Sequence, residues 1–316
     1  MSRILITGAA GNLGGLLANY LKDSGLHLNL LYHKRKINPT LTNSTNISIF
    51  KADLGDKETL KPAVENVDVI VHFAGVLFKH NPEKFLPVTN TKYFSNLLDI
   101  AVEAKVKRII LISFPHVEGE STPENPAKGI LNGKPISMHA ITRLEEEVLL
   151  FEIGKKLKIE TVSLRLGMVY GKGILMIDTA RWFAKYNILG IWEKPTWIHL
   201  ISTDDYLEAT KQAIIKKNIA GIYHIGDDGV QTLQDFLDSA TKHWGYRKPV
   251  RMNVKLILVI SKTFELFSLF FGTKSPLTGD FVKIGMVSYY GDTSRMRNEL
   301  WTDLKYKTLI EGIGTL

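Results

Sequence analysis

Near the start of the chain, three glycines recur at intervals of three residues: Gly8, Gly11 and Gly14. They follow an apolar stretch at 4–7, which predicts a buried strand, and they open the segment 12–24, whose apolar residues repeat at helical spacing. The first glycine permits a tight turn, the second lets the backbone approach a ligand, and the third lets helix and strand pack closely. Because the helix N-terminus also offers free N–H groups and the positive end of its dipole, the segment predicts a site for the pyrophosphate of NAD or NADP. The predicted contacts are Gly8, Ala10, Gly11, Asn12 and Leu13.

A basic cluster, His33, Lys34, Arg35 and Lys36, follows the second predicted strand, 28–32. An NAD site usually has a carboxylate here to accept the ribose 2′-hydroxyl, and the sequence has none close by. Basic side chains would neutralise a 2′-phosphate instead, so His33, Lys34 and Arg35 favour NADP as the cofactor, with NAD as the alternative. A solvated basic turn is the other interpretation of these residues, and it would carry no information about the cofactor.

The composition excludes several classes of protein. A chain of 316 residues that is 45% hydrophobic has ample material for a globular core. It contains no cysteine, which excludes disulfides, thiolate catalysis and Cys-ligated metal sites, and we predict no metal centre. The net charge of +8 suits nucleic acid, an anionic membrane or an anionic small ligand. Because the basic residues are scattered rather than arranged in a stripe with aromatics, we expect no nucleic-acid partner.

We predict neither a targeting segment nor a membrane span. The short apolar run after Arg3 is interrupted at once by glycines, which favours a strand over a signal peptide. The longest apolar stretch, 254–271, carries Lys255, Lys262 and Glu265, so it falls short of the roughly 20 apolar residues that a span needs. We therefore expect a cytoplasmic protein.

Predicted strands and helices alternate along the first half of the chain. The strands are 4–7, 28–32, 47–51, 67–73, 108–113 and 160–164, and the helices are 12–24, 57–65, 90–104 and 142–157. This order predicts an α/β Rossmann fold with a doubly wound parallel sheet. Beyond Arg165, short strands (198–201, 221–225) mix with helices (204–216, 232–243, 255–271). We predict a dinucleotide-binding Rossmann domain over 1–165 and a smaller mixed α/β substrate region over 166–316, partly interleaved with it.

Further motifs are spread over almost the whole chain. They are Asp53-Leu54, His72-Phe73-Ala74-Gly75, Asn90 with Asn96-Leu97-Leu98, Leu164-Arg165-Leu166-Gly167-Met168-Val169-Tyr170-Gly171, and Gly221-Ile222-Tyr223-His224-Ile225-Gly226. Together with the glycine segment, they resemble the extended short-chain dehydrogenase/reductases. That NAD-dependent epimerase/dehydratase-like group includes nucleotide-sugar epimerases, dihydroflavonol reductases and 3β-hydroxysteroid dehydrogenases.

The resemblance implies further cofactor contacts. Asp53, with Leu54 beside it, would contact the adenine ring, and Asn90 corresponds to the active-site asparagine. The strand-end residues Phe73, Ala74 and Gly75 would line the cofactor. The resemblance also implies a homodimer formed through the helices 90–104 and 142–157.

The family's catalytic group, a Tyr four residues before a Lys, is missing at the position that the resemblance indicates. The sequence there is His139-Ala140-Ile141-Thr142-Arg143. Residues i and i+4 share one helical face, so His139 and Arg143 would still lie together. A histidine, with an ordinary pKa of about 6.5, can exchange a proton near neutral pH. An arginine stays charged and can bind ribose hydroxyls, but it cannot shuttle a proton.

Ser113 completes the candidate catalytic set of His139, Arg143 and Ser113. It lies one position before the family's catalytic hydroxyl, and Phe114 occupies that position. Two hypotheses follow. The protein is an NAD(P)-dependent oxidoreductase or epimerase with a rebuilt acid–base group, or it is a non-catalytic NADP-binding redox sensor or scaffold of the atypical branch.

The predicted helix 255–271 bears on the substrate. Its apolar residues, which include Leu256, Val259, Ile260 and Phe267, cover a wide arc that is most simply part of the core. The alternatives are an apolar pocket wall or a contact with a membrane surface. We expect a small-molecule substrate, with an apolar or cyclic carbonyl compound slightly favoured over a nucleotide sugar.

Overall fold

The computed structural model describes residues 2–75, 81–271 and 278–316, with the backbone alone at 267–271. The strands are β1 (Arg3–Thr7), β2 (His27–Tyr32), β3 (Ile47–Lys51), β4 (Val69–His72), β5 (Arg108–Ser113), β6 (Glu160–Leu166), β7 (Met168–Tyr170), β8 (Gly190–Trp192), β9 (Trp197–Ile198), β10 (Leu200–Ser202), β11 (Gly221–Ile225), β12 (Gln231–Thr232) and β13 (Val250–Met252). The helices are α1 (Asn12–Leu21), α2 (Lys57–Val64), α3 (Tyr93–Glu103), α4 (Met138–Leu157), α5 (Leu175–Lys185), α6 (Thr203–Ile215), α7 (Leu233–His243), α8 (Val254–Phe271), α9 (Gly279–Gly285) and α10 (Leu309–Gly312).

A seven-stranded parallel sheet, in the order β11-β6-β5-β4-β1-β2-β3, forms the centre of the molecule. The chain runs outward from β1 to β3 and then returns to the other side of β1 with β4. Ligand sites of such sheets lie at the carboxyl ends of the strands where the order reverses. Here Thr7 at the end of β1 is in register with His72 at the end of β4, so these two ends mark the crevice.

Both faces of the sheet are covered by helices. Alternate residues of a strand point to opposite faces. Ile4 and Ile6 of β1 pack with α1 residues in one buried cluster, whereas Leu5 joins a second cluster with residues of α2 and α3. This arrangement confirms the predicted doubly wound Rossmann fold.

Helix α4 begins four residues earlier than the predicted 142–157. The side chain of Ser137 caps it, because its Oγ accepts a hydrogen bond from the backbone N–H of Ala140 at 3.2 Å. His139 therefore lies in the first turn, and Arg143 lies one turn later on the same side. The predicted helix 90–104 also starts differently, since Asn90 lies in a π-helical turn, Pro87–Lys92, that leads into α3.

After β6 the chain forms three small two-stranded sheets, β10-β7, β12-β9 and β13-β8, while β11 joins the central sheet. The predicted strand 198–201 is divided, because β9 pairs antiparallel with β12 whereas β10 pairs parallel with β7. Helix α5 occupies a stretch for which the sequence predicted no element. The division into domains 1–165 and 166–316 stays a prediction.

Helix α8 corrects the assignment of its core face. Leu256 and Val259 are 51% and 61% exposed, whereas Ile257 and Ser261 are buried. Placing Leu256 and Val259 in the core is therefore wrong, because so wide an apolar arc does not fix which side of a helix faces inward. Phe267 lies outside the described side chains. None of the helices within the described ranges combines the length and apolarity that a bilayer crossing requires.

Candidate active site

The glycine segment forms a cradle between β1 and α1 that other residues would fill. Gly8 has a φ of +67°, and a Cβ there would lie 3.1 Å from the backbone nitrogen of Ala74. A Cβ on Gly11 or Gly14 would lie 2.9 or 2.7 Å from the carbonyl oxygen of Gly8. No side chain caps α1, and its first turn holds no acidic residue. The start of α1 therefore keeps the space and the positive dipole end that a pyrophosphate needs.

A cavity of about 380 Å³ opens beside this cradle. Its walls come from the carboxyl ends of β4 and β5, the start of α4, and the segment between β6 and α5. Of the residues predicted from sequence, the cavity brings together Gly8, Gly11, Asn12, Leu13, Phe73, Gly75, Asn90, Ser113, His139 and Arg143. Phe114 also lines it. The predicted catalytic residues and four of the five predicted contacts in the glycine segment, all but Ala10, thus face one common space.

The side chain of Asn12 is engaged by the opposite wall. Its Nδ2 donates to the carbonyl of Gly173 at 2.6 Å, and its Oδ1 accepts from the backbone N–H of Leu175 at 3.0 Å. Asn12 thereby joins the first turn of α1 to the start of α5. Because the side chain is engaged in this way, the predicted contact of Asn12 with the cofactor would be made by its backbone.

The remaining predicted contacts lie apart from the cavity lining. Ala10 and Ala74 belong to the two turns of the cradle, and the carbonyl of Leu54 accepts from Asn96 Nδ2 at 2.9 Å. Lys34 and Arg35 are exposed beyond β2. Leu54, Lys34 and Arg35 extend the carboxyl edge of the sheet beyond the cradle, because β2 pairs with β1 and β3 pairs with β2.

The basic cluster has a carboxylate beside it, which corrects the expectation that none lies near. Asp53 follows β3, and its Oδ2 lies 3.5 Å from His33 Nε2. Because β3 is the parallel neighbour of β2, their carboxyl ends meet although the residues are far apart in sequence. Asp53 also accepts a hydrogen bond from the backbone N–H of Gly55 at 2.8 Å.

Several buried polar atoms around the cavity lack a hydrogen-bond partner among the described residues. They include Ser113 Oγ, Asn90 Oδ1 and Arg143 Nε. Asn90 is held by its other amide atom, since Nδ2 donates to Thr142 Oγ1 at 3.1 Å. Buried polar groups without partners are uncommon in folded proteins. Together with the cradle, these atoms fit the hydroxyl and amide groups of a nicotinamide dinucleotide or of a substrate.

Arg143 is fixed by a carboxylate from its own helix. Its Nη1 lies 2.5 Å from Oε2 of Glu146, which is fully buried. Burial raises the pKa of Glu146 to about 7, although the positive charge of Arg143 acts in the opposite direction. A Cβ on Gly75 would lie 3.0 Å from Arg143 Nη2. The guanidinium therefore sits against the turn after β4, on the side of the cavity that the cradle faces.

His139 is approached by a carboxylate from the C-terminal part of the chain. Its Nδ1 lies 3.1 Å from Oδ2 of Asp280, in the first turn of α9. Sequence reasoning missed both Asp280 and Glu146. The proximity of Glu146 could have been predicted, because it follows Arg143 by three residues, and residues three apart share one helical face. The proximity of Asp280 could not, because its contact joins residues 141 positions apart.

Comparison with known proteins gives these residues a family. The model of the family described as "NAD dependent epimerase/dehydratase family" matches residues 4–226. Uronate dehydrogenase from Pseudomonas syringae pv. tomato is 30% identical over 166 residues, which are 52% of this chain and 59% of that protein. Uronate dehydrogenase from Pseudomonas putida is 31% identical over 167 residues, 52% of this chain and 60% of that protein. The chain thus spans about 60% of the length of these curated relatives.

Solved structures share the whole fold. UDP-glucuronic acid 4-epimerase from Bacillus cereus, in complex with NAD, superposes with a TM-score of 0.77 at 20% identity, covering 99% of this chain and 96% of that one. UDP-glucose 4-epimerase from Thermotoga maritima, with UDP-glucose, gives a TM-score of 0.78 at 18% identity, with 98% and 96% covered. These likenesses support the Rossmann architecture, and the family match covers both the cradle and the His139–Arg143 segment. The chain therefore belongs to the NAD dependent epimerase/dehydratase family.

Proposed function

We propose that the protein is an NAD(P)-dependent oxidoreductase or epimerase that acts on a hydroxyl or carbonyl group, with His139 and Arg143 in place of the usual Tyr and Lys. One observation carries this proposal. A single cavity of about 380 Å³ is lined by the glycine cradle and by His139, Arg143 and Ser113. Hydride transfer coupled to proton transfer needs a dinucleotide site and a titratable side chain facing the same space.

The substrate that we propose is a small hydroxylated ring compound of the sugar-acid class. The relatives with the highest identity given above are uronate dehydrogenases. Ser113 Oγ, Asn90 Oδ1 and Arg143 Nε are buried without a hydrogen-bond partner in the described part of the chain, and they suit hydroxyl and carboxylate groups. For this reason we prefer a sugar acid to the apolar carbonyl compound that the sequence favoured.

In the proposed reaction a hydroxyl is oxidised to a carbonyl. When bound, the oxidised dinucleotide supplies the acceptor for the hydride that leaves the substrate carbon. His139 takes the hydroxyl proton at the ring nitrogen that faces the cavity, so the substrate loses one hydride and one proton. Ser113 donates a hydrogen bond from its hydroxyl to the substrate oxygen, and Arg143 binds the ribose hydroxyls. Run in reverse, the same groups return the proton to a carbonyl.

For the cofactor we propose NADP in preference to NAD. Asp53 is engaged by His33 and by the backbone of Gly55. Lys34 and Arg35 are exposed, and no ion pair joins either to a carboxylate within the described part of the chain. Two unpaired cations beside one paired carboxylate favour a 2′-phosphate over a 2′-hydroxyl.

A non-catalytic dinucleotide sensor is the second candidate function. The observation that favours it is Phe114, which lines the cavity where the resemblance places the catalytic hydroxyl. In that case His139 and Arg143 would contact the cofactor without moving a proton.

The decisive experiment measures reduction of NADP⁺ and NAD⁺ by absorbance, with a panel of uronic acids and neutral sugars. Replacing His139 by Gln removes the proton acceptor, so we expect kcat to fall by about 100-fold or more. The dissociation constant of NADPH, followed by its fluorescence, should change little.

The matched control is His243→Gln, which changes an exposed histidine on α7 that does not line the cavity. This variant should keep the wild-type kcat. If NADPH binds but no compound of the panel turns over, the sensor is the better description. If H139Q keeps full activity on a substrate that does turn over, His139 has no part in the mechanism.

A further inference from the structure

The carboxylate of Asp280, in the C-terminal part of the chain, lies beside His139, the proposed acid–base residue. We propose that Asp280 is a positioning residue, which accepts the Nδ1 hydrogen of His139 and leaves Nε2 as the nitrogen available to the cavity. This inference rests on the proposed function, since it assigns the ring nitrogen that would handle the proton.

The contact between the two side chains is close and shielded from solvent. Nδ1 of His139 and Oδ2 of Asp280 are 3.1 Å apart, with the side chains 11% and 30% exposed. Both atoms are buried, and neither has a hydrogen-bond partner within the described ranges. Each is therefore a group that can satisfy the other.

Helix α9 is anchored, so the position of Asp280 is defined. The side chain of Thr278 caps the helix by accepting from the backbone N–H of Phe281 at 3.1 Å. The backbone N–H of Gly279 donates to Glu265 Oε1 of α8 at 2.7 Å. Val282 is buried in the main apolar cluster. Two hydrogen bonds and a core side chain thus hold the carboxylate against the start of α4.

The charge arrangement favours this pairing. Arg143 lies on the same side of α4 as His139, but its guanidinium is matched by the buried Glu146 at 2.5 Å. Within the described ranges Asp280 forms no ion pair with a Lys or Arg, and the ionisable side chain that it meets is His139. A carboxylate that is fixed in this way holds an imidazole in one orientation and one tautomer, which is how a general base is commonly positioned.

The first test needs neither cofactor nor substrate. Imidazole ¹H–¹⁵N correlation spectra of the full-length, ligand-free protein report which ring nitrogen carries the hydrogen, and H139Q identifies the His139 signals among the nine histidines. In the wild type we expect the Nδ1–H tautomer. In Asp280→Ala we expect the Nε2–H form or a mixture of the two.

Two further variants make this result interpretable. Asp280→Asn keeps the shape of the side chain, so it serves if D280A does not fold, and it should also weaken the Nδ1–H preference. Lys283→Ala changes an exposed residue of the same helix and should leave the tautomer unchanged. An unchanged tautomer in both D280A and D280N would overturn the proposal.

The second test separates this inference from the proposed function. On a substrate that turns over, D280N should lower kcat by about 100-fold because the base is misplaced, while KM and the NADPH dissociation constant stay within a factor of about three. A kcat equal to that of the wild type contradicts the positioning role. A changed tautomer without turnover of any compound supports the Asp280–His139 contact and contradicts the proposed function instead.

Discussion

The two halves of the cavity are built in different ways. The cradle half consists mainly of backbone, supplied by one continuous segment, and its shape follows from glycines that have no room for a Cβ. The catalytic half consists of side chains from β5 and α4. Two of them are approached by carboxylates that do not line the cavity, since Glu146 contacts Arg143 and Asp280 contacts His139. A local backbone shape is encoded in a short motif, whereas contacts between distant side chains are not. The cradle should therefore be sensitive to volume, and the catalytic half to charge.

The largest effect is expected in the cradle. Gly11→Ala places a Cβ 2.9 Å from the carbonyl oxygen of Gly8, so the backbone must shift where the pyrophosphate would bind. Overpacking of this kind costs about 1–3 kcal/mol, which corresponds to a rise of about 5- to 150-fold in the NADPH dissociation constant. Fluorescence titration measures it.

A glycine with open space provides the control. No heavy atom lies within 4 Å of a Cβ built on Gly314, so Gly314→Ala should bind NADPH as the wild type does. Equal affinities for G11A and G314A would show that backbone volume does not govern the cradle half.

In the catalytic half, the titration of Glu146 should make the free energy of unfolding depend on pH. The pKa of Glu146 is raised to about 7 by burial, above the ordinary glutamate value of about 4.3. Between these values the folded protein holds a proton that the unfolded chain has lost, so the free energy of unfolding falls as pH rises. Glu146 contributes up to about 1.4 kcal/mol per pH unit to this fall, and Glu146→Gln should remove that contribution.

Denaturant unfolding at several pH values between about 4.5 and 7 measures the slope. Asp227, whose pKa burial also raises to about 7, adds a similar fall in both proteins, so the difference between them is informative. Glu152→Gln, at an exposed position of the same helix, should keep the wild-type slope. The same slope in E146Q as in the wild type would show that Glu146 does not titrate in this range.

The smallest effect is expected at the rim beyond β2. Replacing both Lys34 and Arg35 by Glu should remove the preference for a 2′-phosphate and shift the ratio of NADPH to NADH affinity by about tenfold toward NADH, or about 1.4 kcal/mol. Lys217→Glu alters an exposed lysine before β11, at the opposite edge of the sheet, and should leave the ratio unchanged. If the double variant leaves the ratio unchanged, Lys34 and Arg35 do not contact the cofactor.

The extent to which sequence predicted the structure follows the same division. The six long strands before residue 167 and the helix that opens at Asn12 were predicted well, because buried parallel strands and a helix with its apolar residues on one face have strong local patterns. Helix α5 was missed because no side chain caps it and only Ile177 and Ala184 are buried. Strands β8 and β13 have three residues each, too few for a pattern of alternation.

Within the site, the side chains that lie on one element were easier to predict than those brought together from several. His139 and Arg143 were found because the family resemblance indicated the positions of the usual Tyr and Lys, four residues apart. The proximity of Asp53 to His33 could have been predicted from the strand order, since β2 and β3 are parallel neighbours. Asp280 could not, because nothing local specifies which residue α9 will meet.

The amide of Asn12 has a consequence for the kinetics of the cavity. The side chain donates to the carbonyl of Gly173 and accepts from the backbone N–H of Leu175, so it joins the start of α1 to the start of α5 on the opposite side of the cavity. A motion that separates the start of α1 from the start of α5 breaks both hydrogen bonds and exposes the amide to water. Separating the start of α1 from the start of α5 therefore costs both hydrogen bonds of this one side chain.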